Sequence, residues 1–499
     1  MFKQILTLSS GSAIGKLIGI VREVLFASFF GTSSIADAYR AALSATLAPV
    51  FLFTSEALNA AFIPQFSRDR RERNDSAWSL FNGVGFILLL ISLVIAAILY
   101  FFAENWIGII LPGFAGNQFT LAVQMLQIMS WGIPLYVLSA LLISLEIGSN
   151  FFLMSSLRPF VQNIGIIIAM IVAFIGNQPI WIAWWFSGTY MCFSLIGLSI
   201  MITKGILTPG WHRHRDHLRP VMKRFWIAMK PMVLFSLLLQ ATLILEKTIA
   251  SLIGQGAVAS IEYARLIPET AYVLLIVPLG LVSLSVMVNY NDGEVRERSD
   301  NMSSMVLLLF VPLSGLVLVS AQEIIRLIYQ RGAFDEASVL QTSSALQGMS
   351  VGLWAFCLAY LLHRIYNARL RNYDVLRITT KGLIVNVLFI IAAYRYLGVF
   401  AIGLGSSIGR IVMTLLFIKG IGEMHIFQQI AKICLLSALP YIVIAFTIKY
   451  IINLSPMVNF IIQMLWCVTF WGLIFSTFQT SREILMQLLH KFVSFKIKP

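Results

Sequence analysis

The sequence predicts an all-α polytopic membrane protein with fourteen transmembrane helices: two pseudo-symmetric six-helix lobes around a central cavity, followed by two extra C-terminal helices. Three observations predict it. Of the 499 residues 59% are hydrophobic and 12% charged, far from the roughly 45–50% apolar and 25% charged of soluble domains. Apolar runs of about 20 residues, the length that crosses a hydrocarbon core, recur from one end of the chain to the other. Two stretches of sequence also repeat at an offset of about 220 residues. No segment remains between the runs that is long enough for a soluble catalytic domain, which excludes most enzyme classes and leaves no catalytic residue to assign.

Windows of about 19 residues place the spans in order, beginning near Gln4, Asp37, Trp78, Leu121, Phe151, Ile180, Trp226, Ile261, Met302, Val339, Val375, Gly398, Gln428 and Pro456. The first is not read as a cleavable signal peptide, because it runs to about Phe30, carries Lys16 and Arg22 and lacks a small-residue cleavage site. The 36 Lys+Arg exceed the 22 Asp+Glu, for a formal charge of +14. In a soluble chain that would suggest nucleic acid; here the placement of each charge matters more, and no nucleic acid partner is expected. With both termini and the even-numbered connections on one face, that face holds about 26 of the basic residues against about four on the other. The excess marks the cytoplasmic side, so both termini are expected in the cytoplasm.

The polar stretch Thr203–Lys230 separates the two blocks. Its His212, His214 and His217 alternate with arginine, which repels a cation, so a basic linker near anionic headgroups is expected and no metal site. The four cysteines lie in apolar runs without paired spacing, which argues against disulfides or zinc. The expected organisation is an N-terminal lobe at 1–203, the linker at 204–225, a second lobe at 226–420, and two extra helices with a basic tail at 421–499. The repeat supports it. Leu126-Gln127-Ile128-Met129-Ser130-Trp131-Gly132 aligns with Leu346-Gln347-Gly348-Met349-Ser350-Val351-Gly352, and Ala27-Ser28-Phe29-Phe30-Gly31 with Ala250-Ser251-Leu252-Ile253-Gly254. Asp37 and Arg40 then match Glu262 and Arg265. An even number of spans per copy keeps both copies in the same orientation.

Six basic residues fall inside spans: Lys16, Arg22, Arg40, Lys247, Arg265 and Arg410. Each costs at least about 2.5–3.5 kcal/mol at a helix centre, so partners, water or a ligand must compensate. Acids at similar depth are Glu23, Asp37, Glu56, Glu146, Glu246, Glu262 and Glu269. Two readings stand side by side. The cations line a wet cavity and grip an anion, the guanidinium suiting phosphate oxygens; or Asp37 with Arg40 and Glu262 with Arg265 are ion pairs within one helical turn that make insertion tolerable. Arg22 could snorkel to the interface, and Arg410, in GLGSSIGR, suits close helix packing. Lys16, mid-span with no acid three or four residues away, is hardest to explain without a ligand. Pro49, Pro134, Pro231, Pro268, Pro278, Pro312 and Pro440 lie in or near spans and permit bends.

GKLIGIVREVLFASFFGTSSIADAY at 15–39, AFIPQF at 61–66, EKTIASLIGQGAVASIEYARLIPE at 246–269 and IIRLIYQRGAFDEASVLQTSSAL at 324–346 resemble the MurJ/MviN murein lipid II flippase family, over most of the first 380 residues. The resemblance implies an alternating-access fold of the multidrug/oligosaccharidyl-lipid/polysaccharide exporter superfamily. It implies a substrate that is an undecaprenyl-diphosphate-linked saccharide, carried from the inner to the outer leaflet of the bacterial inner membrane. The family's cavity cations carry over to Lys16, Arg22 and Arg265 and its acids to Asp37 and Glu269. There are departures. Lys16 stands where arginine is usual, Val50-Phe51 replaces an Arg-Arg pair, and YARLIPE lacks the acid of the family's Y-A-D-R-L.

The expected function is therefore a lipid-linked glycan flippase, most simply for lipid II, acting as a monomer in the bilayer without a cofactor. The diphosphate would be held by Lys16, Arg22, Arg40, Lys247 and Arg265. Asp37, Glu56, Glu262 and Glu269 would serve coupling or gating by Na⁺, H⁺ or membrane potential. The alternatives are a flippase for an exopolysaccharide or O-antigen repeat, a multidrug exporter of the same superfamily, which acids rather than cations should dominate, and a membrane-embedded glycan enzyme, which the short, histidine-free outward connections disfavour.

Overall fold

The computed structural model describes residues 2–54, 56–72, 74–207, 218–277, 292–369, 371–422, 424–451, 455–479 and 481–482; of residues 2–14, Glu56, Asn74 and Asp292 it describes the backbone alone. Regular structure among the described residues is entirely helical. That is the outcome the bilayer dictates, because a helix satisfies every backbone N–H and C=O within its own segment. Among the described residues ten helices are long and apolar enough to cross a membrane, and there are up to twelve spans if each of two bent helix pairs counts as one. Of the two further spans expected, the one from near Gln4 falls in the helix Phe2–Phe30, whose first residues are described by backbone alone, and the one from near Ile261 continues into residues outside the description. Leu435, Leu473 and Phe86 are about three-quarters exposed, as lipid-facing side chains should be.

The fourth and tenth expected spans are each bent. Gly116–Ser130 joins Ile133–Gly148 at 49°, and Glu336–Ser350 joins Leu353–Ala368 at 48°. Each break falls inside the repeated motif, at Trp131-Gly132 and Val351-Gly352. Pro134 opens the helix after the first break, where its missing N–H costs nothing. Pro49, Pro231, Pro268, Pro312 and Pro440 lie inside helices, and Pro278 lies outside the described residues.

The chain forms two compact units, 1–259 with 331–334, and 260–330 with 335–499. The division after Ala259 comes later in the chain than the linker at 204–225, so the helix Leu218–Ile253 belongs to the first unit; the histidines of the linker lie outside the described residues. In the first unit Phe2–Phe30 packs along Leu153–Ile175. Gly15 lies against Pro159 and Gly19 against Asn163, whose side-chain amide donates to the Gly15 carbonyl at 2.8 Å. Leu218–Ile253 packs on Ser34–Thr54, Glu56–Glu72 and Asn74–Phe101, pinned by Gln65 to the Val221 carbonyl at 3.0 Å and by Arg224 to Asp69 at 3.3 Å.

In the second unit Val399–Ile421, the helix of GLGSSIGR, packs against Asn372–Leu397 and Glu336–Ser350. Gly403 meets the backbone of Ala345 and Gly409 that of Gly382, the close approach that small residues permit. Asp300 closes a second contact: its carboxylate accepts the Ile426 and Phe427 N–H groups at 3.0 and 2.6 Å, satisfying donors at the start of His425–Ile451 that have no helical partner.

Candidate functional site

Helical spacing puts Lys16, Glu23 and Phe30 on one face of Phe2–Phe30, seven residues apart. Glu23 is buried, and each of its oxygens takes a guanidinium: Arg22 Nη2 at 2.5 Å and Arg40 Nη2 at 2.5 Å. Arg22 Nη1 also donates to Asn163 Oδ1 at 2.8 Å, and Arg40 lies over the Phe26 ring at 5.0 Å. Lys247 joins from Leu218–Ile253. Its ammonium donates to Ser44 Oγ and stands 3.5 Å from the Arg40 carbonyl. Lys16 is half-buried on the same helix face as Glu23, and Glu246 is buried beside Lys247 in sequence. Arg22 and Arg40 thus bring two guanidiniums to one buried carboxylate, and Lys247 adds a third cation at the Arg40 backbone, in an interior that penalises charge.

Arg40 does not form the within-turn couple with Asp37 that its spacing allows; it reaches back to Glu23 on the preceding helix. Asp37 is engaged elsewhere. Its oxygens accept the Gly256 N–H at 2.6 Å, the Ala259 N–H at 2.8 Å and the Gln118 amide at 3.1 Å, so it caps the start of Ala257–Ala271. Glu146 does the same for Leu153–Ile175, accepting from Met154 and Ser155 at 2.7 and 3.0 Å. In the second unit Glu262 and Arg265 do form the pair one turn apart, at 3.6 Å and half-buried. Glu269 is exposed, the Glu56 side chain lies outside the described residues, and Arg410 stacks on the Phe356 ring at 3.8 Å, a cation–π contact.

One arginine escaped the sequence reading. Arg158, absent from the six in-span cations of that reading, lies within Leu153–Ile175 and donates to the Tyr136 hydroxyl at 3.0 Å. Tyr136 packs edge-on to Tyr190 and to Phe51, so Phe51 adds an aromatic ring where the resembling family has a cation. The RPFVQ run, with Gln162 one turn after Arg158 and bonded to the Tyr190 hydroxyl at 2.7 Å, was the available signal.

Two loops fasten the first unit near this cluster's helix ends. Ala103–Ile110 and Ala321–Tyr329 are short helices at matching places in the repeat, each followed by a glycine loop. The Gly113 N–H donates to Ser251 Oγ at 3.2 Å. The Ala333 N–H, in the R-G-A-F segment, donates to the Ser28 carbonyl at 2.8 Å. Ser28 and Ser251 are themselves equivalent in the repeat, so each copy's loop rests on the first helix of the other copy. A Cβ on Gly332 would strike the Ser28 carbonyl, and its φ of +58° is one that side chains resist.

The class of protein follows from the fold. A solved inward-facing multidrug resistance MATE family transporter of the MOP superfamily superposes with a TM-score of 0.64 at 15% identity, covering 84% of this chain and 99% of that one. A solved structure titled Lipid II flippase MurJ, inward closed conformation, superposes at 0.82 with 23% identity, covering 96% and 100%. This chain is a multi-pass membrane protein with the transporter fold those two share. It belongs to the family described as Lipid II flippase MurJ, which matches residues 26–475. A relative named probable lipid II flippase MurJ, from Rhizobium tropici, is 26% identical over 82% of this chain and 78% of its own length.

Proposed function

We propose that the chain is a flippase, a transporter and not an enzyme, that carries lipid II from the cytoplasmic to the outer leaflet of the bacterial inner membrane. The observation that carries this reading is the buried cluster of Arg22, Arg40 and Lys247 around Glu23. Its grouped cations suit a diphosphate, and two guanidiniums sharing one carboxylate can exchange it for phosphate oxygens without leaving the interior. Lys16 and, in the second unit, Arg265 complete the proposed set of phosphate ligands. No covalent step is required.

The finer architecture belongs to the same proposal: fourteen spans with both termini in the cytoplasm, two six-helix lobes facing a hydrated cavity, and alternating access by a monomer. Asp37 suits a gating role, because it ties the entry of Ala257–Ala271 to Ser34–Thr54 through hydrogen bonds that break if those helices part. Glu56, Glu262 and Glu269 are the other acids proposed for coupling or gating. Energy would come from Na⁺, H⁺ or the membrane potential, the last worth about 2.3 kcal/mol per charge per 100 mV, and no cofactor is needed.

The test is flipping of defined lipid-linked glycans in reconstituted vesicles. Wild type is expected to move lipid II, and Arg22→Ala, Arg40→Ala and Lys16→Ala to slow it by about tenfold or more, the loss of a charge-assisted contact. Equal rates in all four proteins would discard the site. Movement of an O-antigen or exopolysaccharide lipid in place of lipid II would change the glycan, and failure to move any diphosphate lipid would discard the function.

A further inference from the structure

A second basic cavity, remote in sequence from Arg22, Arg40 and Lys247, lies wholly within the second unit. It encloses about 570 Å³ and is lined by Arg296, Arg369 and Arg371 together with Tyr366 and Gly420. That volume is in the range of small-ligand sites. We infer that this cavity binds a phosphate-bearing anion, either a soluble phosphate or an anionic lipid headgroup, at a site separate from that of the transported substrate.

The arginines are held in place by their surroundings. Arg369 and Arg371 sit in the short turn between Leu353–Ala368 and Asn372–Leu397, and their N–H groups donate to the carbonyls of Ile365 and Tyr366 at 3.0–3.2 Å. The Arg371 guanidinium donates through Nε to Asp374 at 2.7 Å and through Nη1 to the Gly420 carbonyl at 3.1 Å, and lies 4.6 Å over the Tyr366 ring. Tyr366 is fixed in turn by its hydroxyl, which donates to the Phe417 carbonyl at 2.9 Å. Gly420 is required there, since a Cβ would strike that hydroxyl.

Charge in the cavity then favours an anion. The carbonyls at the ends of Leu353–Ala368 and Val399–Ile421, which would repel one, are occupied by these same N–H and guanidinium donors. Among the described lining residues three are cations and none is an acid; Asp374, close to the cavity, already accepts from Arg371. Arg296, exposed near the start of Asp292–Val319, also lines the cavity, its guanidinium carbon 3.8 Å from the position of a Cβ on Gly422. Guanidiniums from two segments, Arg296 and the turn of Arg369 and Arg371, line the same cavity, and the planar fork of a guanidinium matches phosphate oxygens. The charge asymmetry of the sequence assigns this face to the cytoplasm, where soluble phosphates and anionic headgroups are both present.

The experiment uses the full chain with two probes: radiolabelled inorganic pyrophosphate in equilibrium dialysis, and phosphatidylglycerol in phosphatidylcholine nanodiscs, its retention read by native mass spectrometry. Arg296→Gln and Arg369→Gln are compared with wild type and with Lys419→Gln, an exposed lysine outside the cavity lining, after thermal melting has shown that each is folded. The expected result is binding of one probe to wild type and Lys419→Gln, weakened about tenfold in both arginine variants. Pyrophosphate as that probe identifies a soluble anion, phosphatidylglycerol a headgroup. Binding of neither probe, or equal binding in the arginine variants and wild type, overturns the inference. So does pyrophosphate binding that Arg22→Ala abolishes and Arg296→Gln leaves intact, which would place it at the proposed transport site. Loss of lipid II flipping by wild type would sink the transport reading while leaving this binding result untouched.

Discussion

The segments 103–148 and 321–368 are two versions of one design: a short helix, a glycine loop, and a span broken by nearly the same angle, 49° against 48°. They differ in how they are fastened. The first loop reaches a serine side chain, Ser251 Oγ, whereas the second reaches a backbone carbonyl, that of Ser28. The first helix after the loop begins at Ala115 with no side-chain cap; the second begins at Asp335, which accepts from the Ser338 N–H at 2.8 Å. The repeated geometry therefore does not depend on a repeated set of bonds. It persists because each copy satisfies the same exposed donors by whatever acceptor its own sequence provides.

Substitutions at matched positions probe that difference. Gly332→Val should be the most damaging, since it forces a side chain into a left-handed backbone and onto the Ser28 carbonyl. A cost of about 2 kcal/mol or more is expected, read as a larger fall in melting temperature than Gly113→Val produces, because a Cβ on Gly113 also strikes a carbonyl, that of Ser251, but without the left-handed backbone. Equal falls would mean the two loops carry the same strain. Asp37→Ala strands two buried N–H groups and should cost about 1–3 kcal/mol. Its repeat counterpart Glu262→Ala should cost about 0.5 kcal/mol, the value of an exposed-side pair one turn apart; the reverse order would refute the capping role. Ser251→Ala should cost about 1 kcal/mol, and Ser28→Ala should be neutral at the loop, because the carbonyl remains.

A modest effect is expected at the helix caps. Asp335→Ala makes the second copy resemble the first and should cost about 0.5–1 kcal/mol, while Ala115→Asp should gain a similar amount. Hydrogen bonds from the Ser338 hydroxyl and N–H hold the Asp335 carboxyl below its ordinary value of 3.8. A depressed carboxyl contributes its stability in full above the unfolded value and loses it as pH falls through the folded one. The wild-type advantage over Asp335→Ala should thus be constant near neutrality and fade only below about pH 4, in melting curves taken across that range.

Much of the fold was legible because the bilayer admits few solutions. Uninterrupted apolar runs mark spans whatever they pack against, and a cation inside one marks a position that needs compensation, as at Arg22, Arg40 and Lys247. Pairings were less legible. Spacing favours Arg40 with Asp37, three residues away, yet Arg40 takes Glu23, seventeen residues back, because Asp37 is already committed to N–H groups at 256 and 259. Such a choice depends on which helices meet, and local spacing carries no record of that. The breaks at Gly132 and Gly352 were hidden for a related reason. The Gly352 N–H is satisfied by Ser407 Oγ at 2.9 Å, from a helix more than fifty residues further along the chain.

The matched breaks also have a mechanical consequence. At Trp131-Gly132 and at Val351-Gly352 the helix is interrupted, so the two halves of each bent pair are coupled by packing more than by a continuous ladder of backbone hydrogen bonds. Each joint is where a bending load would be absorbed first.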